Sequence, residues 1–147
     1  MLGASPALPQ TSEAATTLLA AHNLYRRQVG TPPLVWSTRL ASIAQNWATY
    51  LIQTGLYKHP PDLQYGENLF EVVGPAANAK QVVDAWASEQ ARYDHRTNSC
   101  SGRCGHYTQM IWRDTKRVGC GVAQKSRRQI WVCNYDPPGN IVGESPY

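Results

Sequence analysis

All four cysteines of this 147-residue chain, Cys100, Cys104, Cys120 and Cys133, fall in its last third. Two of them sit in apolar, β-like runs, Arg117–Ala123 and Gln129–Tyr135, on either side of the polar segment Gln124-Lys125-Ser126-Arg127-Arg128. A hairpin built from these runs brings Cys120 and Cys133 across from each other, within the reach that a disulfide needs. Cys100 and Cys104 close a very short loop. Four cysteines admit three pairings, and a zinc site competes with them because Cys100, Cys104 and His106 lie close in sequence. Structural zinc sites pair such a knuckle with a second one, which this sequence lacks. Disulfides are the better reading, and with them an oxidising compartment.

The length suits one domain with a substantial core. Hydrophobic residues make up 42% and charged residues 16% of the chain, which argues against disorder and against a coiled coil. No run of about 18 apolar residues occurs, so no membrane-spanning helix is expected. A formal charge of +4 favours acidic surfaces such as anionic lipid or wall polymers, and is weaker than a dedicated nucleic-acid binder shows. Met1 to Thr11 lacks a basic start and is interrupted by Pro6 and Pro9, so residues 1–11 read as a flexible leader and not as a signal peptide.

From Ser12 the pattern is helical up to Gly30, and Thr31-Pro32-Pro33 breaks it. The clearest helix follows, capped by Ser37 or Thr38, with Leu40, Ile43, Ala44, Trp47, Ala48 and Leu51 on one face and Gly55 as its stop. Residues 56–66 form a loop through Pro60-Pro61, and Glu67 to Val73 is short and apolar. Asn78 can cap a third helix carrying Val82, Val83 and Trp86. A polar stretch from Gln90 to Gly105 leads to a short helix over Tyr107–Arg113, then to the hairpin and a Pro/Gly-rich tail from Asp136 to Tyr147. Helices early and a hairpin late predict an α+β layer fold, with the sheet packed between helices. The five tryptophans, Trp36, Trp47, Trp86, Trp112 and Trp131, read as core residues. Lys125, Arg127 and Arg128 read as a solvated turn, and Asn23, Asn68 and Asn134 as amides that satisfy backbone groups.

No nucleotide loop, HExxH or GxSxG motif occurs. His59, Glu67, Glu89 and His106 could converge to bind a divalent metal or to exchange protons. On spacing alone their separations of 8, 22 and 17 residues fit no single face, and each reads as a surface polar residue. His22 and His95 carry equal chemistry, and nothing in the spacing distinguishes them.

Four segments in order, His22-Asn23-Leu24-Tyr25-Arg26, Gly66-Glu67-Asn68-Leu69, Gly105-His106-Tyr107-Thr108-Gln109-Met110-Ile111-Trp112 and Cys133-Asn134-Tyr135-Asp136-Pro137, are together similar to the CAP superfamily. That superfamily groups cysteine-rich secretory proteins, antigen 5 and the group-one pathogenesis-related proteins. The chain most resembles the pathogenesis-related branch, over about Leu18 to Tyr147. The resemblance implies a three-layer α-β-α sandwich with a central antiparallel sheet, formed by residues 12–147 as one domain. It implies secretion, the signal having been removed, and a central cleft holding His59, Glu67, Glu89 and His106. His59 and His106 are the implied ligands of an optional divalent metal, zinc or magnesium, with the glutamates on bound water. The implied sterol-binding loop is Gln90–Arg103, with Gln90, Tyr93, Arg96 and Asn98 as its contact residues. One cysteine pair usual in plant relatives is absent, at Leu56-Tyr57-Lys58 and near Lys125, which leaves Cys100–Cys104 and Cys120–Cys133 as the implied disulfides.

A further similarity lies in the tail, where Asp136 and Pro137 mark the point at which plant relatives release a defence peptide, here Pro137 to Tyr147. Three functions follow as expectations. The first is a lipid- or sterol-binding protein of defence or effector type, a monomer that meets anionic membrane surfaces and no nucleic acid. The second is a precursor of the tail peptide. The third, ranked below binding, is a metal-dependent hydrolase with Glu67 or Glu89 as base, since two histidines are fewer ligands than catalytic zinc usually has.

Overall fold

The computed structural model describes residues 6–147; the first five residues of the expected leader lie outside it. Within the remainder of that leader, Leu8 packs against the core. Helix α1 spans Glu13–Val29, with the Ser12 hydroxyl accepting from the Ala15 amide at 3.1 Å and Gly30 closing it at φ 79°. Helix α2 spans Thr38–Thr54, capped by Ser37 and stopped by Gly55 at φ 74°. Helix α3 spans Ala79–Ala87 behind a capping box made by Asn78 and Gln81, which satisfies two amides that the helix leaves open. A 3-10 turn over Ser88–Arg92 continues it, and helix α4 spans Gly105–Ile111.

Among the described residues, six strands form two sheets. The main sheet joins β1 (Val35–Trp36), β2 (Gly66–Val73), β5 (Arg117–Lys125) and β6 (Arg128–Asp136) in the order β1-β5-β6-β2. Its three long strands are antiparallel, while the two-residue β1, not foreseen from the sequence, runs parallel to β5 at the edge. β3 (Tyr93–Asp94) and β4 (Ser99–Cys100) pair as a small separate hairpin. The polar stretch from Gln90 to Gly105, for which no regular element was expected, therefore contains a 3-10 turn and a hairpin.

The sheet is the middle layer of a sandwich. On one face α2 packs Ala44, Ala48, Leu51 and Ile52 against Leu69, Ile130 and Val132. Gly119 and Gly121 allow this approach: a Cβ at either would overlap the α2 backbone at Ala41 or Gln45. On the other face α1, α3 and α4 bury Leu18, Val82, Val83, Trp86, Met110 and Ile111 against Trp131, Cys133 and Tyr135. Cys120 and Cys133 are opposed in the β5–β6 register, Cα atoms 4.0 Å apart, and are joined by a buried disulfide; Cys100–Cys104 is the second bridge.

The hairpin turn is tighter than its composition suggested. The strands continue through Lys125 and from Arg128, leaving Ser126 and Arg127 between them. Arg128 is not a solvated turn residue. Its Nε donates to Glu71 at 2.5 Å and its Nη atoms to the carbonyls of Leu51 and Leu56, fastening the end of α2 to the sheet. Four of the five tryptophans are buried, but Trp47 is half-exposed and stacks on Tyr50.

Between α1 and the sheet lies a buried polar network. Asn68 Nδ2 donates to the Tyr135 hydroxyl, which lies 2.7 Å from His22 Nε2, and His22 Nδ1 is 2.7 Å from the Leu18 carbonyl. That carbonyl only accepts, so Nδ1 carries the proton and Nε2 accepts from Tyr135. Burial is the main reason that the His22 pKa falls to about 4. One turn along, the fully buried Arg26 donates to the carbonyls of Pro32, Met110, Trp112, Arg113 and Thr115. Burial also lowers its pKa to about 10, which leaves it charged at neutral pH, satisfied by carbonyl dipoles.

Candidate functional site

Strand β2 opens with Gly66-Glu67-Asn68, and its register with β6 sets Glu67 opposite Asn134 and Asn68 opposite Cys133. Adjacent strand residues leave opposite faces, so Glu67 points toward the α2 side and Asn68 toward α4. Glu67 Oε1 meets His59 Nδ1 at 2.7 Å, and its Oε2 accepts from Asn134 Nδ2 at 3.1 Å. The His59 side chain is 60% exposed on its loop, while the Glu67 side chain is 1% exposed. The hydrogen bond to Glu67 raises the His59 pKa, outweighing the opposing effect of partial burial.

Across the strand, His106 is the second residue of α4. Its Nδ1 lies 2.8 Å from Glu89 Oε2, and Glu89 Oε1 accepts from the Tyr107 amide at 3.0 Å. The ring stacks near Trp86, centroids 6.2 Å apart. Asn68 Nδ2 also donates to the His106 carbonyl at 3.0 Å, so Asn68 connects the interior network to this second pair.

The structure thus groups the four expected residues as two carboxylate–imidazole pairs on either side of the start of β2. Each carboxylate occupies Nδ1, which leaves Nε2 as the outward nitrogen, the orientation that outer carboxylates give to metal-binding histidines. Among the described residues, no group of three or more His, Cys, Asp or Glu side chains comes together to hold an ion. Beside Glu67, Asn134 Oδ1 is buried with no hydrogen-bond partner among the described residues. Tyr57, on the loop just before His59, has its pKa raised by burial and feels both Glu71 and Arg103, so the loops that carry the two pairs stand within electrostatic reach of each other.

The Gln90–Arg103 segment follows Glu89 directly. Gln90 is exposed on the 3-10 turn, and Tyr93 is half-buried on β3, 6.2 Å from the Tyr107 ring, with its hydroxyl donating to Asn98 at 2.7 Å. Arg96 is exposed at the hairpin tip beside Asp94, and Asn98 donates to the Glu144 carbonyl at 3.2 Å. The tail lies along this hairpin. Tyr147 stacks on His95 with centroids 3.9 Å apart, Asn140 bonds Thr108 and Gly105, and the Arg113 amide donates to Pro146. At its start, Asp136 pairs with Arg117 at 2.8 Å and the Pro137 carbonyl accepts from Thr115.

Sequence reasoning passed over the α2 surface beside His59. Trp47 and Tyr50, together with Pro60, Pro61, Leu63 and Tyr65, line a groove of about 470 Å³ that ends at Glu67. The signal was the one-turn spacing of two aromatics, Trp47 and Tyr50, on this helix.

Residues 19–135 match the model of the cysteine-rich secretory protein family, CAP. Pathogenesis-related protein 1A of Nicotiana tabacum is 47% identical over 132 residues, covering 88% of this chain and 78% of that protein. Pathogenesis-related protein 1 of Arabidopsis thaliana is 41% identical over 128 residues, covering 86% and 78%. Among solved structures, the Schistosoma mansoni venom allergen-like protein 4 superposes with TM-score 0.72 at 26% identity, covering 92% of this chain and 94% of that one. NaASP2 crystallised with Zn2+ superposes with TM-score 0.75 at 24% identity, covering 95% and 88%, and supports the fold alone. With that fold and the two carboxylate–imidazole pairs in place, the chain belongs to the CAP family, in its pathogenesis-related protein 1 branch.

Proposed function

We propose that this protein is a secreted CAP protein acting in defence, and that it holds a sterol or other lipid against the Gln90–Arg103 segment. The relatives' names support the defence role. The observation that carries lipid binding is the build of the segment: an exposed hairpin, braced by Cys100–Cys104 and by the tail, whose own half-buried Tyr93 ring packs 6.2 Å from the buried Tyr107 ring. An aromatic ring set among polar side chains suits a ligand that buries fused rings and presents one hydroxyl. No helix among the described residues is long and apolar enough to cross a membrane. The test is titration of the oxidised protein with a fluorescent sterol. Saturable binding that is lost when Tyr93 and Asn98 are both changed to alanine, and kept in His106→Ala, is expected. Full binding after that double substitution would contradict the assignment.

The same reading makes the metal optional. His59 and His106 are the residues that would hold it, and imidazole nitrogen suits zinc better than magnesium, which prefers oxygen. A bound zinc would supply Lewis acidity toward a carbonyl or a water. Two protein nitrogens, one on each side of β2, are fewer than the three of the usual catalytic site, so hydrolysis stands second. The bonds that hold Asn140, Pro146 and Tyr147 support a tail that stays attached, and mass spectrometry of the secreted protein would show an intact C-terminus.

A further inference from the structure

We infer that the groove between α2 and the loop of residues 60–65 is a carbohydrate site that takes neutral pyranose oligomers. The groove lies on the α2 side of the sheet, away from the Gln90–Arg103 hairpin, and is independent of the lipid reading. Its volume of about 470 Å³ falls within the ~300–1,000 Å³ of small-molecule sites.

The lining has two chemistries. Trp47 and Tyr50 stack on each other with centroids 4.8 Å apart and planes 21° from parallel, and Tyr50 is 41% exposed. The indole N–H donates to the Lys58 carbonyl at 2.9 Å, which fastens the ring to the loop and fixes its attitude. A rigid aromatic surface open to water suits the apolar C–H face of a pyranose ring. Asn46, Asp62 and Gln64 also line the groove. No hydrogen bond or ion pair ties up these three side chains within the described residues. Planar amides and a carboxylate offer paired donors and acceptors, the complement of vicinal hydroxyls. Asp62 is held at φ 56°, a left-handed conformation that Asp tolerates better than most residues.

Other ligand classes fit less well. A purely apolar ligand would leave these three polar groups desolvated and unpaired. An organic cation would meet one uncommitted carboxylate, Asp62, because Glu67 is spent on His59 and Asn134.

Intrinsic fluorescence tests the site in the full oxidised chain. The other four indoles are at most 7% exposed, so a ligand-induced change reports on Trp47. Titration with chitotetraose and with cellotetraose should give a saturable change for at least one of them. Tyr50→Ala and Asn46→Ala should each weaken it, the former by about tenfold, the scale of one lost aromatic stack. Asn46→Ala exchanges an exposed helix residue for a better helix former, so loss of binding in that variant cannot be assigned to unfolding. His106→Ala should leave sugar binding unchanged. Three results would overturn the inference: no saturable change with either oligomer at millimolar concentration, binding indifferent to both groove substitutions, or binding of a proline-rich decapeptide with neither sugar bound.

Discussion

His22 and His59 are the same residue type in the same domain, yet their surroundings push them in opposite directions. His22 is buried, locked between Leu18 and Tyr135, and its pKa is driven down to about 4 by loss of solvent. His59 is largely exposed, and its hydrogen bond to Glu67 raises its pKa. The contrast separates polar chemistry that closes the fold from polar chemistry left open to a ligand. The network of His22, Arg26, Tyr135 and Asn68 is internally satisfied, whereas the pairs His59–Glu67 and His106–Glu89 each keep one imidazole nitrogen outward.

The sharpest way to break this division is at Arg26. Arg26→Leu removes the shared donor of five carbonyls and should cost about 3–5 kcal/mol in urea denaturation. A loss below about 1 kcal/mol would mean that the interior carbonyls find other partners. Next comes pH. Unfolded His22 takes up its proton near 6.5 and folded His22 only near 4, so the unfolded state binds more protons between these values. The His22 contribution is therefore complete above about 6.5 and lost as pH falls toward about 4, by roughly 3 kcal/mol. His22→Gln should flatten that acid limb in denaturation curves measured at several pH values.

His59 has the reverse sign. Its raised pKa contributes stability below the ordinary histidine range, lost as pH rises through the folded value. The effect is small because the imidazole is mostly in water. The two disulfides divide along the same line. Replacing Cys100 and Cys104 by serine opens only a short, exposed loop and should lower stability by about 2 kcal/mol, against about 3 kcal/mol for the buried Cys120–Cys133 bridge, as thermal melts would show. His59→Ala leaves the buried Glu67 carboxylate with Asn134 as its remaining side-chain partner and should cost about 1–3 kcal/mol, while removing the zinc-dependent changes expected of the proposed metal role in a metal titration.

Much of the frame was legible because it rests on local signals. Ser12, Ser37 and Asn78 cap the helices, Gly30 and Gly55 stop them, and the spacing of Cys120 and Cys133 marks the hairpin. The small β3–β4 hairpin was not legible, since it is held by a disulfide and by a tail more than forty residues away in sequence. The parallel edge strand β1 was hidden for a related reason: Val35–Trp36 becomes a strand only because β5 arrives beside it. Motif similarity named the four His and Glu residues, but not their pairing, which follows from the alternation of Glu67 and Asn68 on β2. Nor could spacing distinguish His22, whose partner Tyr135 lies 113 residues away.

The division between closed and open polar groups is tested most directly by imidazole NMR of the oxidised protein, followed through a pH titration and then through addition of zinc. His22 is expected to stay a neutral Nδ1–H tautomer down to about pH 4, His59 to titrate above the ordinary histidine range, and zinc, in the proposed metal role, to shift the His59 and His106 signals alone. A His22 signal that titrates near 6.5, or that moves with zinc, would contradict that division.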